Sequence, residues 1–131
     1  MTVGFYPAFD PKLTVSFAGD GASLFHHAPM LDTLAEERGV LPLESFADDR
    51  EPPPDFDGLP EELVEAIGPW MAWFSAEDGL QTVNGLLDAL DEPAMQARIP
   101  AVEGVLVDLE ALREVLVMAV KKNARFRLEI V

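Results

Sequence analysis

Two histidines, four serines and 24 acidic residues are the groups in this chain that could run hydrolytic or metal chemistry, and there is no cysteine. Thiolate nucleophiles, thiolate zinc sites and disulfides are therefore excluded. His26 and His27 are adjacent. Neighbours point to opposite faces of a strand, or about 100° apart on a helix, so a zinc site would need distant carboxylates to complete it. One surface histidine and one partly buried histidine is the simpler expectation. None of the serines Ser16, Ser23, Ser45 and Ser75 lies in a G-x-S-x-G elbow. Asp48, Asp49, Glu51, Asp55 and Asp57 are hard oxygen ligands, but they do not follow calcium-loop spacing, and Pro52-Pro53-Pro54 stiffens the segment. Gly19-Asp20-Gly21 places an acid where a phosphate would sit, so it reads as a turn. No spacing singles out a pair of carboxylates for general acid–base work. The expectation is a protein that is not an enzyme, with no cofactor and no metal site.

Binding is a better prospect than catalysis. Trp70, Trp73 and Phe74 lie in the densest apolar stretch, just after Gly68-Pro69. Tryptophan is favoured at interface hot spots, although burial in the core is the competing reading. On a strand Trp70 and Trp73 would face opposite ways; only a helical turn brings i and i+3 together. The candidate partner-binding residues are Asp48, Asp49, Glu51, Asp55 and Asp57, with Trp70 and Trp73.

The elements that must position these residues follow from periodicity. Leu13-Thr14-Val15-Ser16-Phe17 alternates as a half-buried strand does, and after the Gly19–Gly21 turn Ser23-Leu24-Phe25-His26 returns as its hairpin partner. Val3, Phe5 and Phe9 suggest a further edge strand limited by Pro7 and Pro11. A helix is predicted over 29–38, opened by Pro29 and closed by Gly39 in a left-handed cap, with Val40 returning onto Leu34. An exposed, acidic, Pro-rich loop spans about 44–60, and a short helix covers 60–67. Ser75 caps a helix over 76–91, with Leu80, Val83, Leu87 and Leu90 as its stripe and Pro93 marking its end. A connector at 94–104 leads to a helix over 106–122, with Asp108 and Glu110 near its start and Asn123 as its cap. Arg125–Ile130 alternates as a terminal strand with Phe126, Leu128 and Ile130 inward, pairing with the domain's own sheet or with an edge of a second copy. The predicted fold class is α+β: one domain over 1–131, a small, largely antiparallel sheet and about four helices on one face.

Charge narrows the partners. With 9 basic and 24 acidic residues the net charge is −15. Nonspecific binding of nucleic acid or of anionic membranes is thereby disfavoured. No 18-residue apolar run is present to span a membrane. Residues 1–112 carry 22 acids against 4 bases, a net −18, and residues 113–131 carry 2 acids against 5 bases, a net +3. Met1 to Lys12 lack a basic start and are interrupted by Pro7, Asp10 and Pro11, so the expected location is cytoplasmic.

The stretch Trp73-Phe74-Ser75-Ala76-Glu77-Asp78-Gly79-Leu80, followed by Asp108-Leu109, Leu112, Val115-Leu116 and Arg125-Phe126-Arg127-Leu128, resembles a group of small uncharacterised bacterial proteins that end in a long helix and a short strand. The resemblance covers most of the chain through mainly aliphatic motifs. It implies the fold and a bacterial origin, and carries no catalytic residue across. The functional expectation is a noncatalytic acidic domain that binds a basic protein, with an immunity or inhibitor protein as the concrete form. The other candidates are a small-molecule or ion-binding regulator and a structural subunit that self-associates, for instance as a homodimer, through Trp70, Met71 and Phe74.

Overall fold

The two longest apolar stripes pack along each other in the computed structural model, which describes residues 4–14, 17–19, 21–47 and 72–130. They belong to α3 (Ala76–Leu90) and α5 (Val102–Lys121). The other elements are β1 (Phe5–Asp10), α1 (Ala22–His26), α2 (Ala28–Glu37), a 3-10 turn (Leu43–Phe46), β2 (Phe74–Ser75), α4 (Pro93–Gln96) and β3 (Arg125–Ile130). The architecture is α+β, and all strand pairing within the sheet is antiparallel.

The strand order is β1-β3-β2, so the terminal strand takes the centre of its own sheet. Phe5, Pro7 and Phe9 oppose Ile130, Leu128 and Phe126, while Tyr6, Ala8 and Asp10 oppose Glu129, Arg127 and Arg125. Phe5, Leu128 and Phe126 are buried on the inner face with the helices, and Tyr6, Ala8, Asp10, Arg127 and Arg125 belong to the outer face. The Phe5 N–H donates away from β3, to the Gly21 carbonyl at 3.1 Å. Alternation turns the Pro7 nitrogen the same way, so its missing donor costs no ladder bond. The strand expected around Val3, Phe5 and Phe9 is β1 at Phe5 and Phe9, at the sheet edge, and Val3 lies outside the described residues.

The predicted 13–17 and 23–26 hairpin does not form. Leu13, Thr14 and Phe17 are not in a strand, Val15 and Ser16 lie outside the described residues, and Ser23–His26 belong to α1. The reason is Gly21, in the left-handed region at φ 74°. Its carbonyl accepts from both Phe5 and Phe25 at 3.1 Å, which ties the edge of β1 to the first turn of α1. The apolar residues of the false strand are still used: Phe17 is buried, its ring edge-on to Tyr6 at 5.5 Å.

The helix ends match their sequence signals. At α2, Gly39 has φ 72°, its N–H donates to Glu36 at 3.2 Å, and the Val40 N–H donates to Ala35 at 3.0 Å. Asn123 closes α5 in the same way at φ 53°, with the Ala124 N–H on Ala119 at 2.9 Å. The buried faces differ from the expected stripes. On α3 the fully buried positions include Gly79, Thr82 and Leu86, whereas Leu80 and Leu87 flank the core. Gly79 lets the Phe126 ring sit on the helix, where a Cβ would come within 2.3 Å of it. The Thr82 hydroxyl donates to the Leu41 carbonyl at 2.7 Å, which removes the penalty of burying it. The long helix begins at Val102 and not at residue 106, because Gly104 is a contact residue and not a breaker: Ser23 Oγ would lie 2.5 Å from a Cβ there. Pro93 ends α3 and opens α4 inside the expected connector.

The first residues of the loop expected at about 44–60 are not loop. Leu43–Phe46 are a 3-10 turn, and Ala47 bridges Leu128 in parallel. The remainder of that loop and the helix predicted at 60–67 lie outside the described residues. The turn is held by Asp32, whose Oδ1 accepts the Leu43 N–H at 2.9 Å. Burial pushes the Asp32 carboxyl above its usual range and Glu44 adds to this, against the opposing Leu43 bond. The folded state therefore holds this proton more tightly than the unfolded chain. Stability from this group falls as pH rises from the unfolded value of 3.8 through the raised one. Asp32→Asn keeps an acceptor and removes that loss. Its urea midpoint should match the parent at about pH 3 and exceed it at neutral pH, by less than about 1 kcal/mol because the site is half open to solvent.

Candidate functional site

Among the described residues, the outer face of the sheet carries a groove of about 490 Å³ lined in part by Tyr6, Leu13, Phe17, Trp73, Arg127 and Glu129. Its size is within the range of ligand sites, and three aromatic rings face a few charged groups. β3 supplies Arg127 and Glu129 at alternate positions, so both project outward. Arg127 donates from Nε and Nη2 to Glu129 Oε2 at 3.1 and 2.9 Å. Its guanidinium also lies over the Trp73 ring, 4.4 Å from the centroid. Trp73 immediately precedes β2, beside Arg127, and Phe74 packs inward against Phe46.

This arrangement decides the tryptophan question at one of its two residues. Trp73 is half-buried and non-helical, at the margin of the outer face. Trp70 lies outside the described residues, as do Asp48, Asp49, Glu51, Asp55 and Asp57. Arg127→Ala removes the cation from the indole. A loss of about 0.5–1 kcal/mol is expected in urea unfolding, with a change in tryptophan emission of the folded protein. Arg127→Lys should recover only part, since an ammonium cannot stack its plane on the ring.

The other candidate groups fall elsewhere. His26 is exposed at the end of α1 and His27 is partly buried between α1 and α2. Among the described residues no group of three His, Asp or Glu could hold a metal ion. Ser75 caps α3, its Oγ accepting the Asp78 N–H at 3.4 Å. Sequence reasoning missed Asp108, which is only 3 % exposed and lies on α5 within the buried face. The signal was available: Asp108 is three residues after Val105 and four before Leu112, hence on the same stripe. Its Oδ1 packs against Gly19, where a Cβ would come within 2.4 Å. Asp108, Ser23 and Gly104 line a cleft between α1 and α5 that no histidine lines.

Eight acids on α2, α3 and α5, among them Glu36, Glu37, Asp88 and Glu110, are exposed, as are the cap residues Asp91 and Glu92. Arg38 pairs with Glu92, and Arg98 pairs with Glu37 at 3.0 Å. The helical side is thus acidic, while cations and acids balance on the outer sheet face. No helix among the described residues is long and apolar enough to cross a membrane. No family model, curated protein or solved structure matches the chain.

Proposed function

We propose that this chain is a noncatalytic protein-interaction domain of a bacterial cytoplasm that engages a basic protein, as an immunity or inhibitor protein engages a basic toxin. The supporting observation is the net charge of −15 together with the exposure of the acids on α2, α3 and α5. Such a field steers a cationic partner and disfavours nucleic acid and anionic lipid. Asp48, Asp49, Glu51, Asp55 and Asp57 extend the acidic set and, with Trp70 and Trp73, are the proposed contacts. Affinity capture at low and moderate salt, followed by mass spectrometry, tests this. A single basic partner should be retained at low salt and released at moderate salt. Reversing the five loop acids to lysine should abolish its recovery. Equal recovery by both forms would remove the loop from the proposal.

A second reading rests on the outer groove, whose size and aromatic lining suit a small-molecule regulator. Its test is a thermal-shift screen of metabolites and metal ions. A ligand at 100 times its dissociation constant adds about 2.7 kcal/mol.

A further inference from the structure

Four charged side chains line the outer groove: Asp10, Lys12, Arg127 and Glu129. Three of them are already paired on the sheet. Arg125 donates to Asp10 at 3.1 Å, and Arg127 donates to Glu129 at 2.9 Å. Lys12 is exposed and makes no ion pair among the described residues. The charge left over at the groove is therefore one cation, although the chain as a whole carries −15. The apolar lining is largely aromatic. Phe17 is buried, and Tyr6 stands edge-on to it with 44 % of its own surface open. Trp73 lines the same groove. From this combination of rings and one unmatched cation we propose that the groove binds a small aromatic acid, its ring against Tyr6 and Phe17 and its carboxylate on the Lys12 ammonium.

Each part of the groove selects a part of the ligand. Aromatic rings pack on one another with a gain beyond the area they bury, so the lining favours a flat ring over a saturated one. A carboxylate gains a charged contact at Lys12, a neutral head group gains none, and a cation is repelled. At about 0.15 M salt the field of the whole chain is screened beyond about 8 Å, whereas a contact at Lys12 is not. The volume of about 490 Å³ admits a bicyclic ring with a short acid arm. This inference rests on the reading of the groove as a small-molecule site and adds the class of ligand. It does not depend on the basic-partner proposal.

Titration of the full chain, followed by amide and indole N–H shifts in NMR, tests it with three probes: naphthylacetate, naphthylacetamide and the saturated decalin analogue of the acid. Naphthylacetate should bind with a dissociation constant on the order of 1 mM and shift the Trp73 indole, identified by its loss in Trp73→Phe. The other two probes should bind more weakly by about threefold or more. Lys12→Glu replaces an attraction by a repulsion, so it should weaken the acid at least about tenfold. The uncharged amide should bind this variant as it binds the parent, which also shows that the variant is folded. An amide or a saturated acid that binds as tightly as naphthylacetate overturns the aromatic-acid assignment and leaves the groove a ligand site. So does an acid affinity that Lys12→Glu does not change. No shift with any probe up to about 10 mM overturns both the assignment and the groove reading.

Discussion

Phe126→Ala is expected to cost about 3–5 kcal/mol, the largest loss from any single side-chain truncation among the described residues. Phe126 is 1 % exposed and is the largest of the fully buried side chains. It lies on the central strand, its ring centroid 5.1 Å from Phe46, and it fills the space that Gly79 leaves open on α3. Its removal leaves a cavity bounded by strand, helix and 3-10 turn at once, and elements tied to each other cannot all collapse into it. Against a total stability of about 5–15 kcal/mol, such a loss lowers the thermal midpoint by roughly 10–20 °C. Urea unfolding followed by circular dichroism measures it. A loss below about 1.5 kcal/mol would show that the ring is not the joint between sheet and helices.

Gly21→Ala should approach the same size for a different reason. Gly21 and Gly39 have almost the same backbone, φ 74° and 72°. An alanine at either pays the left-handed penalty of about 1–2 kcal/mol. At Gly39 nothing lies within 4 Å of the added Cβ, so the penalty is the whole cost. At Gly21 the Cβ would stand 1.9 Å from the Phe5 carbonyl oxygen, which is backbone and cannot rotate away. The strand must shift, and the bonds from Phe5 and Phe25 to the Gly21 carbonyl shift with it. Overpacking of this kind adds about 1–3 kcal/mol. Parallel urea titrations of the two variants should therefore differ by at least about 1 kcal/mol, with Gly21→Ala the weaker. Equal losses would mean that the β1–α1 junction yields without cost.

The helices were legible where local chemistry decides them. Ser75 as cap, Pro29 at a helix start, and Gly39 and Asn123 as left-handed ends act within one turn and need no distant partner. The alternation at 13–17 misleads because five residues cannot tell a strand from irregular chain that buries an apolar side chain. Phe17 is buried in either case. The groove was illegible for a related reason. Trp73 was singled out, but Arg127 was read as part of a basic tail strand, and 54 residues separate them. Only strand pairing in register sets one over the other.

The sequence by itself determined the α+β class, the two long amphipathic helices and their caps, the inward set of the final strand, the acidic charge, and the exclusion of cysteine chemistry. Each depends on residue type, or on spacing within a few residues. Tertiary structure alone decided that the last strand would be central, that Gly79, Gly104 and Thr82 would be contact residues rather than interruptions, that Asp108 would be buried, and that the charges of β1 and β3 would balance on one face. These follow from which element lies against which. That is set by the joint filling of one core by residues far apart in the chain, and local propensity carries no record of it.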